Sequence, residues 1–167
     1  MRPLLMKEEM LYKNLQRIQN SSIVGVDVGS GVKILEKIID DVRKEVIDRA
    51  IKMIPGSTNT AKYLGLDTDD INGLTGLAGL LVHNKSASYR KSIKYLGLYK
   101  AKDRDAWKIK KYSSKAQRHL TMLTNAILRK NGETSALRYR DLRKILKVVI
   151  EARKQMALAG GLGYKPW

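Results

Sequence analysis

The sequence predicts an all-α protein of about six helices, a helical bundle with a neutral N-terminal half and a basic C-terminal half. Two observations carry this prediction. Apolar residues recur every three or four positions through most of the 167 residues, which is the spacing of one helix face. The chain is also 43% hydrophobic, enough to bury the core that such helices need.

Three helices are predicted in the first half. The first covers about residues 4–19, and its inner face comprises Leu4, Leu11, Leu15 and Ile18. The second covers residues 30–54, with Leu35, Ile39, Val42, Val46, Ala50 and Met53 inward, and Pro55-Gly56 ends it. A loop over 57–66 leads to Asp67-Thr68, which is predicted to cap a third helix ending near Leu81.

The third helix contains Gly73, Gly76 and Gly79, one glycine every third residue. Glycine weakens a helix, so a stripe of it indicates that another backbone approaches closely. The alternative is a poorly formed helix or an irregular segment.

Three further helices are predicted in the second half. Ser86 is expected to cap a basic helix with Tyr89, Ile93 and Leu96 inward. Ser113 or Ser114 opens the fifth helix, whose stripe is Ala116, Leu120, Leu123 and Ile127 and which ends at Asn131-Gly132. Thr134 or Ser135 opens the sixth, whose stripe is Leu142, Ile145, Val149, Ala152 and Met156 and which ends at Gly160-Gly161.

The net charge of +17 comes entirely from the second half of the chain. Residues 1–79 contain 11 Lys and Arg and 11 Asp and Glu, whereas residues 80–167 contain 22 and 5. This split predicts a packing and oligomerisation module over 1–82 and a nucleic-acid-binding module over 83–167, and the alternative is one continuous domain.

The basic half interleaves cations with aromatic residues, a combination typical of nucleic-acid surfaces. Residues 85–118 hold 12 Lys and Arg against 2 Asp, together with four tyrosines and one tryptophan. The predicted contacts in this stretch are Arg90, Lys91, Lys94, Lys100, Arg104, Trp107, Lys108, Lys110, Lys111, Tyr112, Lys115 and Arg118. The alternative is a solvated basic face with its aromatic residues in the core.

The sixth helix adds a second row of predicted contacts: Arg140, Arg143, Lys144 and Lys147. Their spacing places them on one helix face, where like charges repel unless an anion covers them. No zinc finger or basic zipper pattern accompanies them, and Asn131-Gly132 only weakly marks a helix-turn-helix, so the expected contact is with the phosphate backbone.

Composition excludes several classes of protein. The absence of Cys rules out disulfides and thiolate metal sites, and two histidines cannot build a multi-histidine centre. No metal, cofactor or catalytic residue is predicted. No run approaches a membrane span, and the N-terminus is a poor signal peptide, so the expected location is a virion or nucleoprotein particle, or the cytoplasm. Abundant Lys, Ile and Arg with no Phe indicate a thermophilic source.

The division into neutral and basic helices resembles small helical coat proteins of filamentous archaeal viruses, which implies wrapping of double-stranded DNA. The layout of residues 4–81, with a central helix near 34–54, is similar to a histone fold. Residues 20–32 hold no Lys or Arg, so that second resemblance implies dimerisation rather than a grip on DNA.

The segment 22–33, SIVGVDVGSGVK, resembles the first phosphate motif of actin-like ATPases and sugar kinases. That resemblance implies phosphate and metal roles for Asp27, Gly29 and Gly31. The alternative is a glycine-rich loop that caps the second helix.

The function expected from these observations is structural. The chain is expected to coat or condense duplex DNA without sequence preference, in a repeating assembly with itself or a related subunit. The alternatives are a ribosomal or other ribonucleoprotein subunit, a protein that binds an anionic membrane surface, and the nucleotide-binding enzyme that the glycine motif implies.

Overall fold

The computed structural model describes residues 1–20, 29–86, 88–98, 112–133 and 136–159, with the backbone alone described over 156–159. These residues form seven α-helices and no strand, which confirms the all-α class. The helices are α1 (Arg2–Asn20), α2 (Gly29–Met53), α3 (Ser57–Tyr63), α4 (Ile71–His83), α5 (Tyr89–Tyr95), α6 (Ser114–Lys130) and α7 (Tyr139–Ala159).

Helix α4 is the centre of the fold. It is apolar almost all round, and its residues from Thr75 to Leu81 are buried, as expected of a helix covered on several sides. Helix α2 packs on one side of α4 and α6 on another, while α1 packs along α2. The main core joins Leu77 and Leu80 of α4 to residues of α6 and α7, so the described parts of the two predicted modules share it.

The glycine stripe of α4 marks a close helix contact, as predicted. A Cβ at Gly76 would lie 2.6 Å from the backbone nitrogen of Leu123, and one at Gly79 would collide with the ring of His119. Both neighbours belong to α6, so glycine is what lets these two helices approach. Gly73 has a different neighbour, because it lies beside Asp70 and Leu66.

The prediction of a loop over residues 57–66 is wrong, because α3 occupies most of this segment. The segment is short and polar, and such a helix depends on tertiary contacts rather than on its own propensity. Thr60 and Ala61 are buried, and α3 packs against α4 and α7.

Helix ends differ from the prediction by a few residues, and a capping hydrogen bond explains the shifted start of two helices, α4 and α5. Asp70, not Asp67-Thr68, caps α4, accepting a hydrogen bond from the Gly73 nitrogen at 2.9 Å. Ser88, not Ser86, caps α5, and Ser113 caps α6. The predicted start of α7 at Thr134 or Ser135 lies outside the described residues, and the helix is observed from Tyr139.

The inner face of α2 follows the predicted stripe except at its end. Ile39, Val42 and Val46 are buried, but Met53 is 60% exposed. The final inward position is Ile54, four residues after Ala50, and it packs against both core clusters. Pro55 and Gly56 follow it, as expected for the end of this helix.

Candidate nucleic-acid interface

Helices α5 and α7 contact each other, and they carry most of the Lys and Arg residues that the structure describes in the basic half. Helix α5 contains three cations and no carboxylate, and α7 contains six cations and two carboxylates. The Tyr89 hydroxyl at the start of α5 donates to the Arg143 carbonyl of α7 at 3.4 Å. The Arg153 guanidinium donates at 3.2 Å to the carbonyl of Asn84, the residue after α4, and the Asn84 side-chain amide donates to the Ser92 hydroxyl of α5 at 3.0 Å. These contacts fix the two basic helices against each other.

Helix α7 has one apolar and one cationic side. Leu146 and Val149 are buried in the core, while Arg140, Lys144 and Lys147 are exposed. These three cations follow one another at four and three residues, so they form a row that spans roughly 10 Å along the helix.

The cations of this row have little internal charge compensation. The Arg140 Nε lies 3.9 Å from Asp141 Oδ1, at the limit of an ion pair. Lys144 and Lys147 form no ion pair within the described ranges. Three like charges at this spacing repel one another in water, so an anion laid along the row would relieve that repulsion.

Arg143 departs from the predicted arrangement, because it lies at the edge of the row. Its side chain is only partly exposed, and its Nη1 atom is buried without a hydrogen-bond partner. A buried guanidinium nitrogen without an acceptor is costly, and because this atom has no contact with solvent it adds nothing to the exposed row.

Helix α5 presents the second group of predicted contacts. Arg90, Lys91 and Lys94 are exposed, and Arg90 and Lys91 form no ion pair within the described part of the chain. Tyr112 is 51% exposed. Its ring covers Gly97, where a Cβ would approach the ring Cγ to 2.8 Å, so this tyrosine is held beside the end of α5.

Helix α6 contributes two of the predicted residues, and neither is a freely exposed cation. Lys115 is half-buried. Arg118 makes two hydrogen bonds to the carboxylate of Glu8 in α1, at 2.8 and 3.0 Å. The charge of Arg118 is therefore engaged inside the protein rather than available on its surface.

Glu8 is fully buried and bridges three helices. Arg43 of α2 donates to its Oε1 at 3.0 Å, while Arg118 of α6 holds both oxygens. Both guanidinium groups also lie near the ring of Tyr12, at 5.8 and 5.1 Å from its centre. Burial alone would raise the pKa of Glu8, but the hydrogen bonds and charges of Arg118 and Arg43 outweigh it and hold that pKa below its ordinary value.

Sequence reasoning missed this network, although one signal was present. Glu8 lies on the apolar stripe of α1, four residues after Leu4 and three before Leu11. A carboxylate in such a position needs a buried cationic partner. The partners themselves are 35 and 110 residues away, and nothing local indicates them.

Two histidines stack between α4 and α6, apart from the basic helices. The rings of His83 and His119 lie 5.6 Å apart and nearly parallel. Burial, reinforced by the charge of Arg118, lowers the pKa of His119 to about 4. Its Nδ1 atom is buried without a hydrogen-bond partner. The residue is therefore neutral near pH 7 and acts as part of the helix contact.

A cleft of about 930 Å³ opens beside Tyr12 and Arg43. Its charged lining residues are Glu36, Asp40, Arg43, Asp67, Asp70, Arg118, Arg129 and Lys130. Four cations and four carboxylates balance each other there, so the cleft attracts phosphate less than the rows on α5 and α7. The described residues bring together no group of three His, Asp or Glu that could hold a metal ion.

Comparison of the chain with protein-family models, curated proteins and solved structures finds no match. Within the described ranges, no helix combines the length and the apolar character needed to cross a lipid bilayer.

Six predicted contacts lie outside the described residues: Lys100, Arg104, Trp107, Lys108, Lys110 and Lys111. Asp27 of the glycine-rich segment also lies outside them, whereas Gly29 and Gly31 are residues of the first turn of α2. The described part of the predicted site is therefore the exposed cations of α5 and α7, with Tyr112 beside α5.

Proposed function

We propose that this chain is a structural protein that coats or condenses duplex DNA through the exposed cations of α5 and α7. The observation that supports it is the row Arg140, Lys144 and Lys147, three exposed cations on one face whose opposite side is anchored in the core. A row that repels itself in the free protein gains free energy when phosphates replace water along it.

The rest of the molecule supports the same proposal by contrast. The N-terminal half, residues 1–79, holds 11 Lys and Arg and 11 Asp and Glu, and two of its cations, Lys13 and Arg49, pair with Glu9 and Glu45 at 2.8 Å. In α5 no carboxylate is present at all. A surface with this asymmetry concentrates a positive field on one side, which attracts a polyanion without reading its sequence.

The backbone of a regular duplex suits a straight row of cations better than the splayed bases of single strands. Lys and Arg at helical spacing address phosphates, and phosphate contacts carry affinity without base specificity. The coat is proposed as a repeating assembly because one chain covers only a short stretch of duplex with such a row.

The test is binding of a random-sequence DNA duplex, followed by fluorescence anisotropy over a series of salt concentrations. We expect the logarithm of the binding constant to fall linearly with the logarithm of salt. The variant Arg140→Gln/Lys144→Gln/Lys147→Gln should bind more weakly and show a shallower salt slope, by about 0.9 for each phosphate that the variant no longer neutralises.

The matched control removes three exposed lysines elsewhere: Lys7→Gln/Lys52→Gln/Lys62→Gln. This variant loses the same net charge but should retain the wild-type slope. An identical slope for both variants would contradict the proposed interface. Competition between the DNA duplex and a structured RNA tests the remaining alternative, because a ribonucleoprotein subunit should prefer the RNA.

A further inference from the structure

The outward face of α2 carries charges whose signs alternate. While Ile39, Val42 and Val46 are buried on the inner side, four charged residues lie exposed on the outer side: Lys37, Asp41, Lys44 and Asp48. They follow one another at four, three and four residues, so they share one helix face. None of the four forms an ion pair within the described part of the chain.

Among pairs with two-fold symmetry, this order of charges is complementary to itself only in the antiparallel orientation. When two copies of α2 lie antiparallel about the midpoint between Val42 and Arg43, Lys37 faces Asp48 of the partner subunit. Asp41 then faces Lys44 of the partner subunit. A two-fold axis repeats both contacts, so opposite charges meet four times. A parallel pair in register would instead place each charge opposite its own kind.

Exposed isoleucines extend the same symmetry. Ile34 and Ile51 are 62% and 54% exposed, and they lie equally far from that midpoint. In the antiparallel pair, Ile34 and Ile51 of the partner subunit lie at the same level, on either side of the charged row. Apolar side chains at the ends of a charged row can supply burial that surface ion pairs alone do not.

We propose that α2 is the contact surface between two copies of this chain, paired antiparallel about a two-fold axis that passes near Val42 and Arg43. The partner is a second copy because the face matches its own charge order. The contact uses a different helix from those of the candidate nucleic-acid interface, α5 and α7. It does not depend on nucleic-acid binding, so the two proposals are tested apart.

The test is sedimentation velocity of the protein without DNA. Wild-type protein should sediment as a dimer, with twice the chain mass of 18.9 kDa. The variant Lys37→Asp/Lys44→Asp carries four carboxylates on the face, and Asp41→Lys/Asp48→Lys carries four lysines. Each replaces attraction by repulsion at every contact, so the dissociation constant of the dimer should rise by about tenfold or more.

Two experiments that restore dimerisation distinguish the loss of this pairing from misfolding of the variants. Mixing the two double variants should yield a heterodimer, and the quadruple swap Lys37→Asp/Asp41→Lys/Lys44→Asp/Asp48→Lys should restore the homodimer. The control Lys7→Asp/Lys62→Asp reverses two exposed lysines on other helices and should stay dimeric. A wild-type monomer at every soluble concentration would overturn the proposal. So would double variants that stay fully dimeric, or a quadruple swap that is folded by circular dichroism yet monomeric.

Discussion

Glu8 shows how one residue can hold distant parts of this chain together. It is a fully buried carboxylate, and its partners Arg43 and Arg118 come from two other helices. Each partner satisfies oxygens that would otherwise be desolvated without compensation. Arg118 belongs to the predicted interface by sequence, because no local pattern distinguishes it from its exposed neighbours. Its engagement with Glu8 becomes visible only when residues 110 positions apart meet.

Replacing Glu8 by Gln should destabilise the fold by about 3–5 kcal/mol, because it leaves two guanidinium groups partly buried without their anion. The control is Glu45→Gln, whose partner Arg49 is half-exposed and whose removal should cost less than about 1 kcal/mol. Urea denaturation followed by circular dichroism measures both. Similar losses for the two variants would show that the Glu8 network contributes no more than a surface ion pair.

At the scale of helices, the apolar periodicity of the sequence predicted the helices whose formation depends on local sequence. The long helices α1, α2, α6 and α7 have apolar stripes that continue for several turns, and such stripes are the strongest signal in a sequence. Helix α3 was missed because its seven residues, most of them polar, carry no apolar stripe, and neighbouring helices stabilise it. The basic helices of the interface were predictable for the same reason as the long helices, whereas the contact between α5 and α7 arises from tertiary packing.

The contact between α4 and α6 gives a prediction at this scale. Gly76→Ala should destabilise the protein by about 1–3 kcal/mol, because the new methyl group would meet the α6 backbone and separate the two helices. Gly31→Ala is the matched control in α2, where nothing lies within 4 Å of the new Cβ. It should be neutral or stabilise by up to about 1 kcal/mol, since alanine favours helix. Thermal unfolding compares the two, and a stable Gly76→Ala protein would contradict the close contact.

For the whole molecule, two buried ionisable groups shape the dependence of stability on pH. The pKa of His119 is about 4 in the folded protein against an ordinary value of 6.5, so between these values the unfolded chain binds more protons. The contribution of neutral His119 to the free energy of unfolding should therefore be fully present above pH 6.5. The free energy of unfolding should decrease by about 3 kcal/mol as the pH falls to 4. The contribution of Glu8, whose pKa is lowered below 4.5, is lost only at more acidic pH.

The variant His119→Phe checks this assignment, because it keeps a planar ring against Gly79 and cannot take up a proton. Its urea midpoint should change little between pH 6.5 and 4, while that of the wild type falls. The pKa of His83 is also lowered, mainly by burial, but this ring is less enclosed. His83→Phe should therefore retain most of the pH dependence. An unchanged profile in His119→Phe would place the titrating group elsewhere.

The bond between Glu8 and Arg118, together with the seating of α6 on the glycines of α4, has a mechanical consequence. Helices α1 and α6 therefore contact each other directly, in addition to being joined by the roughly one hundred residues of chain between them. A force on the far end of α6 is therefore transmitted to α1 through the pair of Glu8 with Arg118, and to α4 through the close contact at its glycines.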